Sequence, residues 1–287
     1  MTDHVLTDHV LTLTCADRPG IVHAVCGALL AVGGNITENA QFSEPQSGTF
    51  CMRTEFSSTQ GDAGVVRKLV MERLAEPGAI LSVRPTSYRP RVMILVSKQD
   101  HCLFDLLYRW RTGELAIELP LIVSNHPDCG AIAAMYGIGF LHLPVAQETR
   151  SAQEDQLKSL ISEHGIDLVV LARYMQILSD DLCRFLAGRA INIHHSFLPG
   201  FKGAKPYHQA WRRGVKVVGA TAHFVTTELD EGPIIEQAVE RVNHAHSPAE
   251  LIALGRDIER MVLFRAVKYW SEDRILLIGE RTVVFAN

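Results

Sequence analysis

The stretch INIHHSFLPGFKG, residues 191–203, places an amide and an imidazole two positions apart in an apolar segment. Side chains two apart in an extended strand share a face, so Asn192 and His194 point the same way while the alternating isoleucines face the packing layer. A second stretch, HFVTTELDEGPII at residues 223–235, supplies the carboxylate of Asp230. An amide and an imidazole can stabilise a carbonyl oxygen as it gains charge, and a carboxylate can orient water or move protons. These side chains therefore predict chemistry at a carbonyl group.

The chain around these stretches alternates short apolar strands with helical patterns. The strand-like segments read RVMILVS, LPLIVSN, FLHLP and DLVVLAR. This alternation predicts a Rossmann-like α/β domain, a mostly parallel sheet with helices on both faces. Ligands of such sheets bind at the carboxyl ends of strands near the point where the strand order reverses, which is where we expect Asn192 and His194.

The first part of the chain predicts a smaller domain of the α+β class. Its order of strand, helix, strand, strand, helix, strand is that of a ferredoxin-like fold. The prolines of residues 85–90 indicate a linker, so the predicted domains are residues 1–84 and residues 91–287. Residues 2–6 duplicate the sequence TDHVL that follows them and are predicted to be a frayed extension.

The composition indicates a soluble protein with no nucleic-acid partner. The 287 residues are 47% hydrophobic, and the formal net charge is only -4, without a basic block that could follow a phosphate backbone. No apolar run is long enough to span a bilayer and no secretory signal is present, so we expect a cytoplasmic protein without a membrane partner. The six cysteines lack paired metal spacing and are predicted to be reduced packing residues.

Several side chains of the catalytic half raise the alternative of a metal-dependent amidase. The possible ligands are His194, His195, His208, His223 and Asp230. No tight spacing such as His-Glu-x-x-His occurs among them, so we predict no metal and place this alternative second. In an extended strand His195 faces away from His194 and is predicted to be structural, whereas His208 lies on a helix either near the site or in solvent.

The motifs resemble the folate-dependent formyltransferase family. Asn-Ile-His is followed by Ser-x-Leu-Pro-x-Phe-Lys-Gly, and His-Phe-Val-x-x-x-Leu-Asp-x-Gly-Pro-Ile lies downstream. The resemblance implies that Asn192, His194 and Asp230 are the catalytic triplet. In the first domain, Asp-Arg-Pro-Gly-Ile-Val and Gly-Asn-Ile resemble an ACT domain. The combination, which covers nearly the whole chain, is similar to the formyltetrahydrofolate deformylase family.

The resemblance implies hydrolysis of 10-formyltetrahydrofolate to formate and tetrahydrofolate, with the formate supplied to purine biosynthesis. It implies no cofactor, because the folate is the substrate and water is the second reactant. The oxyanion is expected near Asn192 and His194, and Asp230 would position the water and take its proton. Such a base needs a pKa not far below the working pH, so we expect burial or hydrogen bonding to raise the pKa of Asp230.

The resemblance also implies a pterin pocket with His223 in support, lined by Leu171, Arg173, Tyr174, Met175 and Ile177. From the residues alone, this stretch is a buried strand running into a helix near Ser179. The loop at residues 97–103 carries Asp100 and no glycine, which disfavours a phosphorylated acceptor and favours water. Lys98 in the same loop keeps formyl transfer to an amine open as an alternative.

For the ACT-like domain the resemblance implies an amino-acid effector, bound by Asp17, Gly20, Ile21 and Asn35. From the residues alone, Gly20 and Asn35 serve turn geometry and Asp17 caps a helix. Glycine or methionine is the expected effector, and pairing of such domains predicts a homo-oligomer. An amino-acid sensor without turnover is the third alternative for the whole chain.

Overall fold

A computed structural model describes residues 7–59, 62–146, 148–198 and 206–286. The chain divides into two compact units, of which the second is Arg89–Ser271. The first contains the described residues up to Tyr88 and those from Glu272 onward. This division differs from the predicted domains in two places: the end of the chain returns to the first unit, and the predicted linker of residues 85–90 is divided after Tyr88 between the two units.

The first unit is an α+β domain whose elements follow the predicted order. A four-stranded antiparallel sheet with strand order β2-β3-β1-β4 is formed among its described residues. Apolar side chains such as Leu11, Val25 and Phe56 form its core. The elements are β1 (Thr7–Ala16), α1 (Ile21–Ala31), β2 (Asn35–Glu44), β3 (Thr49–Ser58), α2 (Ala63–Leu74) and β4 (Ile80–Pro85).

The turn before α1 is formed by a glycine and not by the predicted aspartate cap. Gly20 is the N-cap residue, with a left-handed φ of 94°, and no side chain caps the helix. The predicted capping role of Asp17 is therefore wrong. Asp17 instead donates its backbone N–H to the carbonyl oxygen of Gly48 at 2.7 Å, and this contact joins the turn to the loop between β2 and β3.

The second unit is an α/β domain around a sheet that, over the described residues, has seven strands in the order β11-β10-β9-β8-β5-β6-β7. Strands β5 to β9 pair in parallel, whereas β10 and β11 are antiparallel. The elements are β5 (Arg91–Val96), α3 (His101–Arg111), β6 (Glu118–Ser124), α4 (Gly130–Met135), β7 (Gly139–His142), α5 (Arg150–Glu163), β8 (Leu168–Ala172), α6 (Asp180–Phe185), β9 (Ala190–His194), α7 (Pro206–Arg213), β10 (Val217–Phe224), β11 (Ile234–Arg241) and α8 (Pro248–Ser271).

The burial of the central strands shows that this sheet is covered on both faces. The apolar side chains of β5 and β8 are at most 4% exposed, as expected of strands that pack on both sides. In the sheet, β6 and β7 lie on one side of β5, whereas β8, the next strand along the chain, lies on its other side. The strand order therefore reverses between β5 and β8, and the predicted mostly parallel fold with its switch point is confirmed. No helix in the described part of the chain is long and apolar enough to cross a membrane.

The last segment belongs to the first unit because charged side chains hold it there. The hairpin of β12 (Ile275–Ile278) and β13 (Arg281–Val284) follows α8. Arg53, which is only 2% exposed, donates to the backbone oxygen of Glu272 at 3.1 and 3.0 Å. Arg274 reaches Glu38 at 3.1 Å. Such contacts link residues distant in sequence, and the sequence pattern gave no sign of them.

The connection between β10 and β11 requires a glycine at position 232. Phe224 donates its backbone N–H to the carbonyl oxygen of Pro233 at 2.9 Å, which closes the connection. A Cβ atom at Gly232 would lie 1.8 Å from the carbonyl oxygen of Phe224, so any larger residue must displace backbone.

We expect Gly232→Ala to lower the free energy of unfolding by about 1 to 3 kcal/mol, because overpacking against rigid backbone forces it to shift. Chemical denaturation monitored by circular dichroism measures the change. Gly78→Ala is the matched control, since its added Cβ would meet only the end of a Glu76 side chain at 3.8 Å. Equal stability of the two variants would contradict the close approach at Gly232.

Candidate active site

A cavity of about 300 Å³ lies beyond the carboxyl ends of β8 and β9. Its wall combines strand ends with the connection that follows β10. All three predicted catalytic side chains line it, together with every residue of the predicted pterin pocket: Asn192, His194, Asp230, Leu171, Arg173, Tyr174, Met175, Ile177 and His223. The fold thus brings into one cavity residues that the sequence separates by more than fifty positions.

Strand pairing places Asn192 beside His223. The antiparallel register of β9 and β10 sets the two residues opposite each other, and Asn192 Nδ2 lies 3.2 Å from His223 Nε2. His223 Nδ1 lies 2.8 Å from the carbonyl oxygen of Phe224, so Nδ1 carries the proton and donates to it. With the proton on Nδ1, Nε2 accepts from the Asn192 amide. This contact fixes the orientation of the amide, whose second hydrogen is available to a ligand.

His194 and Asp230 form a second pair in the cavity. His194 Nδ1 lies 3.2 Å from Asp230 Oδ1, so the imidazole donates to the carboxylate through Nδ1. His194 Nε2 is buried and has no hydrogen-bond partner among the residues that the structure describes. Buried polar atoms are nearly always hydrogen-bonded, so this nitrogen is suited to meet a bound molecule.

Asp230 is held as an ionised carboxylate. Burial acts to raise its pKa, but the interactions of the carboxylate with the imidazoles of His194 and, to a smaller extent, His223 outweigh burial and leave the pKa well below its usual value. The expectation that burial or hydrogen bonding raises this pKa is therefore wrong, because the two imidazoles favour the ionised carboxylate more strongly than burial disfavours it. Asp230 also has a left-handed φ of 58°, a conformation that aspartate tolerates better than most residues and that occurs often at functional sites.

His195 lies in the same cavity, which corrects the prediction that it faces away. Strand β9 ends at His194, so the alternation of faces stops there, and the ring centroids of the two histidines are 5.0 Å apart. Burial, with a smaller contribution from the charge of Arg173, lowers the pKa of His195 to about 4. His208 is exposed on α7, which agrees with the second of its two predicted placements, in solvent.

Residues 173–178, here called the pocket loop, form one side of the cavity. Leu171 and Tyr174 are buried at its base, whereas Met175 and Ile177 are more than half exposed. Ser97, which follows β5, holds the start of the loop from both directions. Its N–H donates to the carbonyl oxygen of Arg173 at 3.3 Å, and its hydroxyl accepts from the N–H of Met175 at 2.9 Å.

Helix α5 contacts the pocket loop near its start and also holds its end. Gln153 donates to the hydroxyl of Tyr174 at 3.1 Å, and Arg150 donates to the carbonyl oxygen of Ile177. Glu154, only 5% exposed, accepts from the backbone N–H of Ser179 at 2.9 Å and from its hydroxyl. Because both ends are fixed, backbone groups of the loop are arranged before any ligand binds, which lowers the entropic cost of binding.

Sequence reasoning missed the buried glutamates near this cavity. Glu154 lies among the buried residues of α5, and Glu259 lies among those of α8. The position of each carboxylate within the apolar stripe of an amphipathic helix could have indicated a buried, partnered group, since glutamate is rarely buried without partners. Its partners come from distant elements and have no sequence signature.

The residues predicted to bind an effector lie at the surface of the first unit, with one exception. Asp17, Gly20 and Asn35 are exposed, while the side chain of Ile21 is 2% exposed and belongs to the core. Ile21 is therefore part of the core and not of the surface that a ligand could contact.

Two known families match the two parts of the chain. The formyl transferase family model matches residues 90–267, and the ACT domain model matches residues 9–70. Fold and site thus define an ACT-containing protein of the formyl transferase class.

Relatives over the whole length narrow this class. The chain is 48% identical to the formyltetrahydrofolate deformylase of Corynebacterium sp. (strain P-1), with 96% of this chain and 97% of the relative covered. It is 36% identical to that of Escherichia coli (strain K12), with 98% and 99% covered. The crystal structure of formyltetrahydrofolate deformylase from Burkholderia mallei superimposes with a TM-score of 0.92 at 49% identity, covering 98% of this chain and 100% of that one. The chain belongs to the formyltetrahydrofolate deformylase family.

We expect His195→Gln to leave the pH dependence of kcat/KM unshifted between about pH 5 and pH 8, because the lowered pKa keeps this imidazole neutral there. Steady-state rates of 10-formyltetrahydrofolate turnover across this pH range measure the effect, with wild-type protein in the same buffers as the control. A displaced acid limb in the variant would show that His195 ionises in the working range.

Proposed function

We propose that the protein hydrolyses 10-formyltetrahydrofolate to formate and tetrahydrofolate, and so supplies formate for purine biosynthesis. Membership of the deformylase family over nearly the whole chain carries this conclusion. The meeting of Asn192, His194 and Asp230 in one cavity supports it, since these side chains suit attack of water on a formyl carbon. Water and the folate are the only reactants that this scheme needs, so no cofactor or metal enters it.

The geometry suggests how the proton moves during attack. The hydrogen bond to ionised Asp230 keeps the His194 proton on Nδ1, which leaves Nε2 as the acceptor. As the water oxygen bonds to the formyl carbon, its proton passes to Nε2, and the resulting imidazolium is stabilised by Asp230. The Asn192 amide donates to the developing oxyanion. Collapse breaks the bond between carbon and N10, and the proton returns from Nε2 to N10, releasing tetrahydrofolate and formic acid, which loses its acidic proton to water to become formate.

This scheme changes the role first expected of Asp230. A carboxylate whose pKa is lowered by two imidazoles is a poor proton acceptor near neutral pH. It serves better as the fixed charge that orients His194 and stabilises its protonated form. The same division of roles between a carboxylate and an imidazole is found in other hydrolytic sites.

A deformylase should release formate when no amine acceptor is present. The test incubates purified protein with 10-formyltetrahydrofolate, with and without glycinamide ribonucleotide, and quantifies formate and tetrahydrofolate. We expect equal formate release in both reactions. Turnover that requires the amine would make the protein a formyltransferase, whereas no turnover in either reaction would favour a sensor.

Variants of the triplet assign the chemistry to this cavity. We expect Asp230→Asn to lower kcat by about 100-fold to 10,000-fold through loss of the His194 partner. Asn192→Ala should lower it by about 100-fold to 1,000-fold through loss of an oxyanion donor. Asp257→Asn is the control, because this carboxylate is 64% exposed on α8 and contacts Arg260. Near-normal kcat in either site variant would refute the assignment.

We also propose that the ACT-like part of the first unit, within residues 1–84, binds an amino-acid effector and pairs with a second copy to form a homo-oligomer. The ACT match supports both roles. Asp17, Gly20 and Asn35 are accessible to such a ligand, whereas Ile21 is buried and would support the turn from the core. Residues 85–90 would link this regulatory unit to the catalytic one, and the scheme requires neither a membrane nor a nucleic acid.

Isothermal titration with glycine and with methionine tests the effector proposal. We expect saturable binding of one of them and its loss in Asp17→Ala, because an exposed carboxylate can pair with the ligand's ammonium group. Glu72→Gln is the control, since this carboxylate is 58% exposed on α2 in the same unit. If neither amino acid binds to active protein, the effector proposal is wrong.

A further inference from the structure

One buried carboxylate of the second unit is unused by the proposed chemistry. Glu259, on α8, is 1% exposed, and both of its oxygens are hydrogen-bonded. Oε1 accepts from the hydroxyl of Tyr207 at 2.8 Å. Oε2 lies 2.8 Å from His101 Nε2 and 3.3 Å from Arg173 Nε. A buried carboxylate with three partners is costly to desolvate, so its position calls for an explanation.

The three partners come from three different connections at the carboxyl end of the sheet. His101 begins α3 after β5, Arg173 follows β8, and Tyr207 lies in α7 after β9. Strands β5, β8 and β9 are neighbours in the sheet. A single side chain of α8 therefore ties together the connections that leave three adjacent strands beside the cavity.

The packing of α8 makes room for this arrangement. Gly255 lies one helical turn before Glu259, and a Cβ atom there would come within 2.1 Å of the Tyr207 hydroxyl oxygen. Glycine weakens the interior of a helix, so its presence is explained by the approach of the tyrosine ring. Tyr207 is thereby directed along the helix towards the carboxylate four residues further on.

A metal ion is a poor alternative occupant. Ligand atoms of His101, Cys102 and Glu259 lie within 4.8 Å of one another, which is a spacing that metal sites share. The Arg173 guanidinium, however, already contacts the carboxylate and would repel a cation. Burial acts to raise the pKa of Glu259, but the hydrogen bond from His101 and the charge of Arg173 outweigh burial and lower the pKa. The cluster is thus satisfied as an internal ion pair.

Arg173 connects this cluster to the pocket. It is the first residue of the pocket loop, it lines the cavity and it has a left-handed φ of 63°, which is uncommon for a residue with a long side chain. Its Nε also lies 2.9 Å from Gln99 Oε1. A strained backbone persists only where its surroundings hold it, and the side-chain contacts with Glu259 and Gln99 supply that support.

We infer that Glu259 is a positioning residue for folate binding, which acts by holding Arg173 and with it the start of the pocket loop. The inference rests on the proposed folate-binding role of the cavity. Because Glu259 makes no contact with the triplet of Asn192, His194 and Asp230 among the described interactions, its loss should affect binding more than chemistry.

The primary test compares Glu259→Gln with wild type. The substitution keeps the size of the side chain and removes the charge that faces Arg173. We expect KM for 10-formyltetrahydrofolate and Kd for tetrahydrofolate, measured by titration, to rise by about 10-fold or more, because small displacements of positioning groups have large effects. We expect kcat to change by less than about 3-fold, since the triplet is left in place.

Glu236→Gln is the matched control. Glu236 lies on β11 and is partly buried, and its Oε1 lies 3.8 Å from Arg265 of α8, the helix that carries Glu259, but it does not line the cavity. Its substitution should leave KM, Kd and kcat near their wild-type values. Tyr207→Phe is the second variant, since it keeps every charge of the cluster and should raise KM in the same direction by a smaller factor.

A double-mutant cycle tests whether Glu259 acts through Arg173. Arg173→Gln should raise KM by itself, and Glu259→Gln should add little in that background. Unchanged KM and Kd in Glu259→Gln, a loss of kcat alone, or additive effects in the cycle would each overturn the inference. Hydrolysis by the wild-type protein is measured in the same experiment, so failure of the proposed reaction remains distinguishable from failure of this inference.

Discussion

The antiparallel pairing of β9 with β10 is the constraint on which the site depends. This register sets Asn192 opposite His223 and leads directly into the connection that carries Asp230. A shift of one residue would turn the alternating side chains to the other face and separate the triplet. The close approach at Gly232 closes that connection, so backbone packing outside the cavity decides where the carboxylate lies.

Buried polar side chains around the cavity are hydrogen-bonded, unlike one nitrogen among the candidate catalytic residues. The buried side chains of Ser97, Glu154 and Glu259 form hydrogen bonds that hold the connections leaving the sheet. At the centre, His194 Nε2 is left without a partner among the described residues. Rigid support around an unsatisfied group is what a preorganised site requires, because the cost of ordering is met during folding.

Much of the fold and part of the site followed from local patterns. Apolar runs predicted the central strands, and the order of elements predicted both units. The prediction of Asn192 and His194 on one face needed only the period of an extended strand. His195 was misplaced because the same period was extended one residue beyond the end of β9. The capping role given to Asp17 failed because Gly20 adopts the left-handed conformation itself.

The sequence by itself determined the element order, the class of fold, the family and the side chains suited to carbonyl chemistry, because these depend on residue type and short-range period. Only the tertiary structure decided the ionisation of Asp230, the burial of Glu259 and the return of the last hairpin to the first unit. Each depends on charged groups brought together from distant positions. Electrostatic energies vary steeply with distance and burial, and neither quantity is encoded in the local pattern of residues.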